Sequence, residues 1–158
     1  MISGSADFTK LFARMDTIKV GAVEAARPAA QAGAQVLHDE VERRAPVGTE
    51  AEHYFYGKAA ARAAKGDKKA KAYLFTRGNL KAAVYQYFNK RLSGNGRAVY
   101  SIAVNRQKAP YADMVENGTS RAAAQPYLRP AYDAASGRAV KAAKSTWARL
   151  VKKASGSK

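Results

Sequence analysis

Two histidines and twelve acidic residues are the groups from which this chain could build an acid–base or metal site. His38 stands beside Asp39 in the run Asp39-Glu40-Val41-Glu42, and His53 is followed by Tyr54. General acid–base catalysis needs such groups converging on one reacting atom. The run instead occupies successive positions of a helical pattern, so His38 reads as a solvated polar position and Asp39, Glu40 and Glu42 as a solvated face. Zinc takes three or four ligands at defined spacing, which two scattered histidines and these acids do not offer. The chain has no cysteine, which removes thiolate nucleophiles, disulfides and Cys-based metal sites. It also has no Gly-rich loop ending in Lys-Ser/Thr and no dinucleotide fingerprint. The expectation is a non-enzyme with no cofactor and no metal.

One carboxylate stands apart. Glu116 is the lone glutamate in YADMVENGTSRAAAQPYLRPAYDAA, residues 111–135, between Asp113 and Asp133. The first half reads as a short amphipathic segment started by Pro110: Tyr111, Met114 and Val115 are apolar, and Gly118 before Thr119 permits a sharp exit. In the second half Pro126 and Pro130 fix φ and lower the entropy lost on ordering. They hold Tyr127, Leu128 and Arg129 between them, as anchors on a stiffened backbone suited to contacting another protein. For Glu116 the expectation is structural: it accepts bonds from nearby backbone amides or pairs with a cation such as Arg121 or Arg129.

The elements that must position this stretch follow from periodicity. Ser5 and Asp7 offer a cap ahead of Phe8, Leu11, Phe12 and Met15, which share one helical face. A longer stripe follows through Val20, Val23, Ala30, Ala34, Leu37 and Val41; Arg27 interrupts it, and Pro28 lacks the amide a helix interior needs, which predicts a break or kink. The helix ends before Pro46. Beta character begins after Gly78, where Leu80, Ala82, Val84, Gln86 and Phe88 alternate with their neighbours. SGNG at 93–96 supplies a hairpin turn, and Ala98, Tyr100, Ile102 and Val104 continue on one face. The chain is helical again after Pro130, with Val140, Ala143, Trp147, Leu150 and Val151 as its stripe.

These elements fit one domain: a helical region over 1–49, an excursion over 50–75, sheet and contact loop over 76–135, a helix over 136–154 and a disordered tail at 155–158. The fold class is α+β. A small twisted antiparallel or mixed sheet, built on the 80–105 hairpin, is packed by the long N-terminal helix and the C-terminal helix around a thin core.

Twenty-eight Lys and Arg against twelve acids give a formal net charge of +16. This excess attracts polyanions, either nucleic acid or an acidic protein surface; a basic surface with no dedicated partner is the plainer alternative. Lys58, Arg62, Lys65, Lys68, Lys69 and Lys71 crowd the 50–75 excursion, offset by Asp67. With few large side chains to pin it, the excursion reads as poorly packed, either a mobile arm or an Ala/Lys helix broken at Gly66. These six cations are the candidate contacts for a polyanion or acidic partner. Basic and aromatic residues also interleave in YQYFNKRLSGNGRAVY, a pattern that could stack bases, although the alternation favours Phe88 and Tyr100 as core-facing. No apolar run approaches a membrane span, and the N-terminus is too polar for a signal peptide, so a protein made and kept on the cytoplasmic side is expected.

YADMVENGT followed by AQPYLRPAYDAA resembles the tail-completion, or neck, family of tailed bacteriophages. Members carry Tyr-Ala-x-x-Val-Glu-x-Gly-Thr and then Pro-aromatic/apolar-Leu/Met-Arg-Pro-Ala. RRAPVGT at 43–49 is similar to the family's Ala-Pro-Val turn after its long helix, and GNLKAAV at 78–84 to its strand entry, with Ala83 where Ser is usual. The pieces run in the same order over about residues 34–135, interrupted by the excursion. The resemblance implies a structural virion protein at the head–tail junction, made in the host bacterial cytoplasm. Copies would form a homo-oligomeric ring, commonly six-fold, around the DNA exit channel, between connector or stopper proteins and tail proteins. Nonspecific contact with channel DNA is compatible with it; a cofactor, a reaction and a membrane are not implied. A stand-alone basic nucleic-acid-binding module is the alternative.

Overall fold

The computed structural model describes residues 4–48, 52–54, 65–66 and 74–156. Its spine is helix α1, Gly4–Arg44. Two short strands follow, β1 (Glu52–Tyr54) and β2 (Leu74–Thr76), then the one-turn helix α2 (Asn79–Ala82). Strands β3 (Val84–Phe88) and β4 (Tyr100–Val104) come next, then α3 (Ala112–Asn117) and the long α4 (Leu128–Ala154). The architecture is α+β, with two two-stranded antiparallel sheets, β1–β2 and β3–β4.

Pro28 does not break α1. The helix runs through it, although an interior proline costs about 3 kcal/mol in isolation. The cost is offset by α4, which lies antiparallel along α1 on both sides of the proline. Gly21, Ala25, Ala29 and Gly33, four residues apart, are all buried on α1; Ala131, Ala135 and Ala139 are buried on α4, where Ala139 meets Gly33 and Ala154 meets Gly21. Small residues let the two backbones approach closely: a Cβ built on Gly33 would lie 3.0 Å from the Ala139 carbonyl oxygen, and one on Gly21 would lie 2.5 Å from the Ala154 Cβ. The packed stripe thus differs from the expected one, and Val20 and Val23 are exposed. The helix also starts at Gly4, which puts Ser5 and Asp7 inside its first turn rather than ahead of it.

The β3–β4 hairpin packs on α1 rather than on α4, so α1 is the middle layer. Its register pairs Val84 with Val104 and Phe88 with Tyr100. Spaced polar residues of α1 meet it: the Arg27 guanidinium sits 4.6 Å from the centre of the Phe88 ring, and the Tyr100 hydroxyl donates to Gln31 at 3.4 Å. The Phe88 and Tyr100 rings pack against each other in a tilted arrangement, with centroids 5.4 Å apart. They are joined to α1 rather than presented as a free platform for bases.

Two strand expectations change. Leu80 and Ala82 belong to helix α2, because Gly78 takes a left-handed conformation (φ 80°) and caps a helical turn before the strand begins. Beta structure also occurs earlier, where Glu52 pairs with Thr76 and Tyr54 with Leu74, so the excursion leaves and returns at one place. Of its cations, Lys65 lies in an exposed turn with Gly66; Lys58, Arg62, Lys68, Lys69 and Lys71 lie outside the described residues.

The core gathers at the C-terminal end of α1. Val41, Ala45, Leu80, Ala83, Val84, Ala109, Ala112, Tyr127 and Ala131 form it, with Ile102, Val104, Tyr111, Val115 and Leu128 packed around. Alanine dominates it, and Tyr127 is its largest fully buried side chain. Glu40 ties this end to α4 by accepting from Arg44 Nε at 2.6 Å, from Arg43 and from Arg138 at 3.0 Å. It is buried and triply paired, not part of a solvated face. The bonds from Arg43 and Arg44, aided by Arg138, outweigh burial and pull its pKa down to about 2.

Candidate protein-contact site

Helix α3 is short because Gly118 ends it. Gly118 has φ 77°, and a Cβ there would sit 2.8 Å from the Ala124 amide nitrogen, so the exit from the helix requires glycine. The chain then folds back on itself. Thr119 and Ala122 form a bridge, the Thr119 hydroxyl accepts from the Ala122 amide at 3.1 Å, and the Gln125 amide donates to the Val115 carbonyl at 2.8 Å.

Glu116 holds the two halves of the segment together. Its carboxylate accepts from the backbone amides of Tyr127 (2.8 Å), Leu128 (3.0 Å) and Arg129 (3.3 Å). These are the first amides of α4, which have no partner within the helix, and Tyr127 offers no side-chain cap of its own. A carboxylate at a helix N-terminus also meets the positive end of its dipole. Burial pushes the Glu116 pKa up, but the Leu128, Tyr127 and Arg129 amides and the Arg129 charge more than reverse this, leaving it below the usual value. The structural role expected for Glu116 is what the fold uses.

Tyr127 is not a presented anchor. It is completely buried in the core, and Leu128 packs half-buried beside it, because the Glu116 clamp draws their backbone inward. Burial, followed by the charges of Glu116 and Asp113, raises the Tyr127 hydroxyl to about 12. Tyr111 is also half-buried; burial raises its pKa despite hydrogen bonds with the Asn79 side chain and the Leu80 backbone. Pro126 and Arg129 remain exposed, and Pro130 is half-buried within the first turn of α4.

What the segment does present is a groove. Pro46 and Val47 after α1, Arg77 and Leu80 around α2, and Tyr111, Met114, Val115, Thr119 and Ala122 surround a cavity of about 590 Å³ with largely apolar walls. Val47 and Met114 are exposed at its edge. The structure therefore brings Tyr111, Met114, Val115 and Thr119 to one surface, assigns Glu116 and Gly118 to building it, and withdraws Tyr127 and Leu128 from it.

A second feature had no place among the expected contact residues. Ala154, the last residue of α4, faces Gly21, so residues 4–20 of α1 project past the end of α4 by about 25 Å. Phe8, Leu11, Phe12 and Met15 are all more than half exposed on this overhang. Their common face is visible in the sequence; that no described element covers it depends on where α4 stops.

Among the described residues, one group offers metal-ligand atoms in reach of one another: His38, Asp39 and Glu42, within 4.8 Å. His38 is only 17 % exposed rather than solvated; its Nδ1 lies 3.4 Å from Asp39 Oδ1 and 4.0 Å from Glu42 Oε2. Its Nε2 faces the Val84 carbonyl at 3.4 Å, and Asp39 accepts from Gln35 at 2.7 Å. Of these contacts, the one to Val84 joins α1 to β3; the others lie within α1. No helix among the described residues is long and apolar enough to cross a membrane. No family model, characterised protein or solved structure matches the chain.

Proposed function

We propose that this chain is a structural virion protein of a tailed bacteriophage that forms a ring at the head–tail junction, around the channel through which DNA leaves. The observation that carries this reading is the unit clamped by Glu116. The two segments whose motifs resemble the neck family are joined by its carboxylate through the Tyr127, Leu128 and Arg129 amides. Together they leave an open apolar groove with Met114 at its edge. A surface of that kind suits protein contact, and the reading gives the chain an architectural rather than a catalytic role. The ring would be six-fold, with connector or stopper proteins on one side and tail proteins on the other, and its basic excess would meet channel DNA or an acidic neighbouring surface. The test is the mass of the particle in solution and its copy number in purified virions. Six copies per virion at the junction are expected; absence from virions would refute the role.

A stand-alone nucleic-acid-binding module is favoured by a different observation. Arg138, Lys141, Lys144, Arg149, Lys152 and Lys153 are all exposed on α4. Affinity built on several phosphate contacts collapses between about 50 and 200 mM salt, whereas an apolar ring contact persists. Tight DNA binding by a monomer with that salt dependence would favour the module.

A further inference from the structure

The overhang of α1 and the groove lie at opposite ends of one helix. Phe8, Leu11, Phe12 and Met15 stand at positions i, i+3, i+4 and i+7, the anchor spacing of a helix that docks into an apolar groove. Ile18 extends the same face and is 38 % exposed. By side-chain size the five present on the order of 500 Å² of apolar surface, more than half of the ~800 Å² each partner contributes to a standard interface. A patch of this size lies toward the upper end of what a monomeric protein leaves bare, and the largest such patch is often functional.

The groove of the same copy cannot cover this patch. The groove adjoins Pro46 and Val47, just past the far end of α1, and Phe8 and Arg44 are separated by about 54 Å of continuous helix. An arm at one end and a receptor at the other make a heterologous pair, which closes into a ring or runs on as a filament. We infer that the N-terminal overhang of each copy docks, through Phe8, Leu11, Phe12 and Met15, into the groove edged by Val47 and Met114 on a second copy of this chain. The contact rests on the ring reading, which sets copies side by side, and gives that ring its connecting element.

The absence of native cysteine allows a direct test on the full chain. Phe12→Cys and Met114→Cys both replace exposed side chains and leave the core untouched. The two variants, purified separately, are mixed and mildly oxidised. Disulfide-linked dimers are expected in the mixture at least tenfold above either variant alone. Dimers from Phe12→Cys alone would mean that arms pair with arms, and would overturn the contact. Closed assemblies without the mixed disulfide would overturn it too, while leaving the ring reading standing. A chain that stays monomeric at every concentration would overturn both.

Discussion

At the C-terminal end of α1, Val41 and Ala45 are covered by Leu80, Val84, Ala112 and Tyr127. At its N-terminal end the larger side chains of Phe8, Leu11, Phe12 and Met15 meet no described element and stay more than half exposed. The two ends belong to one helix, so their difference comes from neighbours rather than local sequence. α4 starts at the core end and stops opposite Gly21. Folding thus uses one end, and the apolar surface at the other is left uncovered by any described element. Substitutions should separate the two: damage at the core end should appear as lost stability, damage at the overhang as lost assembly.

The largest effect on folding is expected at Tyr127. Truncating the largest fully buried side chain among the described residues, Tyr127→Ala in an alanine-rich core, should cost about 3–5 kcal/mol, read by chemical denaturation. A loss below about 1 kcal/mol would mean that the core end is not what holds the fold. Next comes Glu116→Gln, which keeps the shape of the clamp and removes its charge. A loss on the order of 1–3 kcal/mol is expected for these charge-assisted bonds, or roughly 2–4 °C in Tm per kcal/mol for a chain of this length. An unchanged Tm would show that the carboxylate charge does not matter to the clamp.

Acid should attack the same end. Glu116 and Glu40 both titrate below the ordinary value of 4.5 in the fold, Glu40 at about 2. A depressed folded pKa stabilises above the unfolded value and loses that contribution as pH falls through the folded one. Tm should therefore hold from neutral pH to about 5 and fall between about 4.5 and 2, with a smaller fall in Glu116→Gln. An equal fall in that variant would remove Glu116 from the explanation.

The smallest effect is expected from Tyr127→Phe. Among the described residues the buried hydroxyl has no hydrogen-bond partner, and deleting an unsatisfied buried polar group is neutral or favourable. A Tm unchanged or raised by a degree or two should result; a drop of several degrees would reveal a bond to the hydroxyl.

The same contrast explains what could be read in advance. The 84–88/100–104 hairpin and the presence of the final helix were legible because alternation, the SGNG turn and helical spacing are local patterns, but the face that helix packs was not: Val140 and Trp147 are exposed, and Ala131, Ala135 and Ala139 are buried. Glu116 was legible because a lone glutamate beside proline-bounded amides has few other uses. Tyr127 was not: an aromatic residue between two prolines looks like a surface anchor, and only the pull of Glu116, eleven residues away, buries it. Pro28 misled for a related reason, since its local cost is met by α4 packing from the other end of the chain. Glu40 looked solvated because one of its three arginines, Arg138, is 98 residues away. At the overhang the apolar face was plain, but its exposure depends on the α1–α4 register.

The division of labour along α1 can be tested on a single variant, Leu11→Asp, by native mass together with Tm. The wild-type chain is expected as a ring of about six times its 17.0 kDa mass. Leu11→Asp is expected as a 17.0 kDa monomer that melts within about 2 °C of the isolated wild-type monomer, since a change at an exposed position away from the core shifts stability by no more than ~0.5 kcal/mol. A variant that still assembles like wild type, or that loses its fold, would contradict the assignment of folding to one end of the helix and assembly to the other.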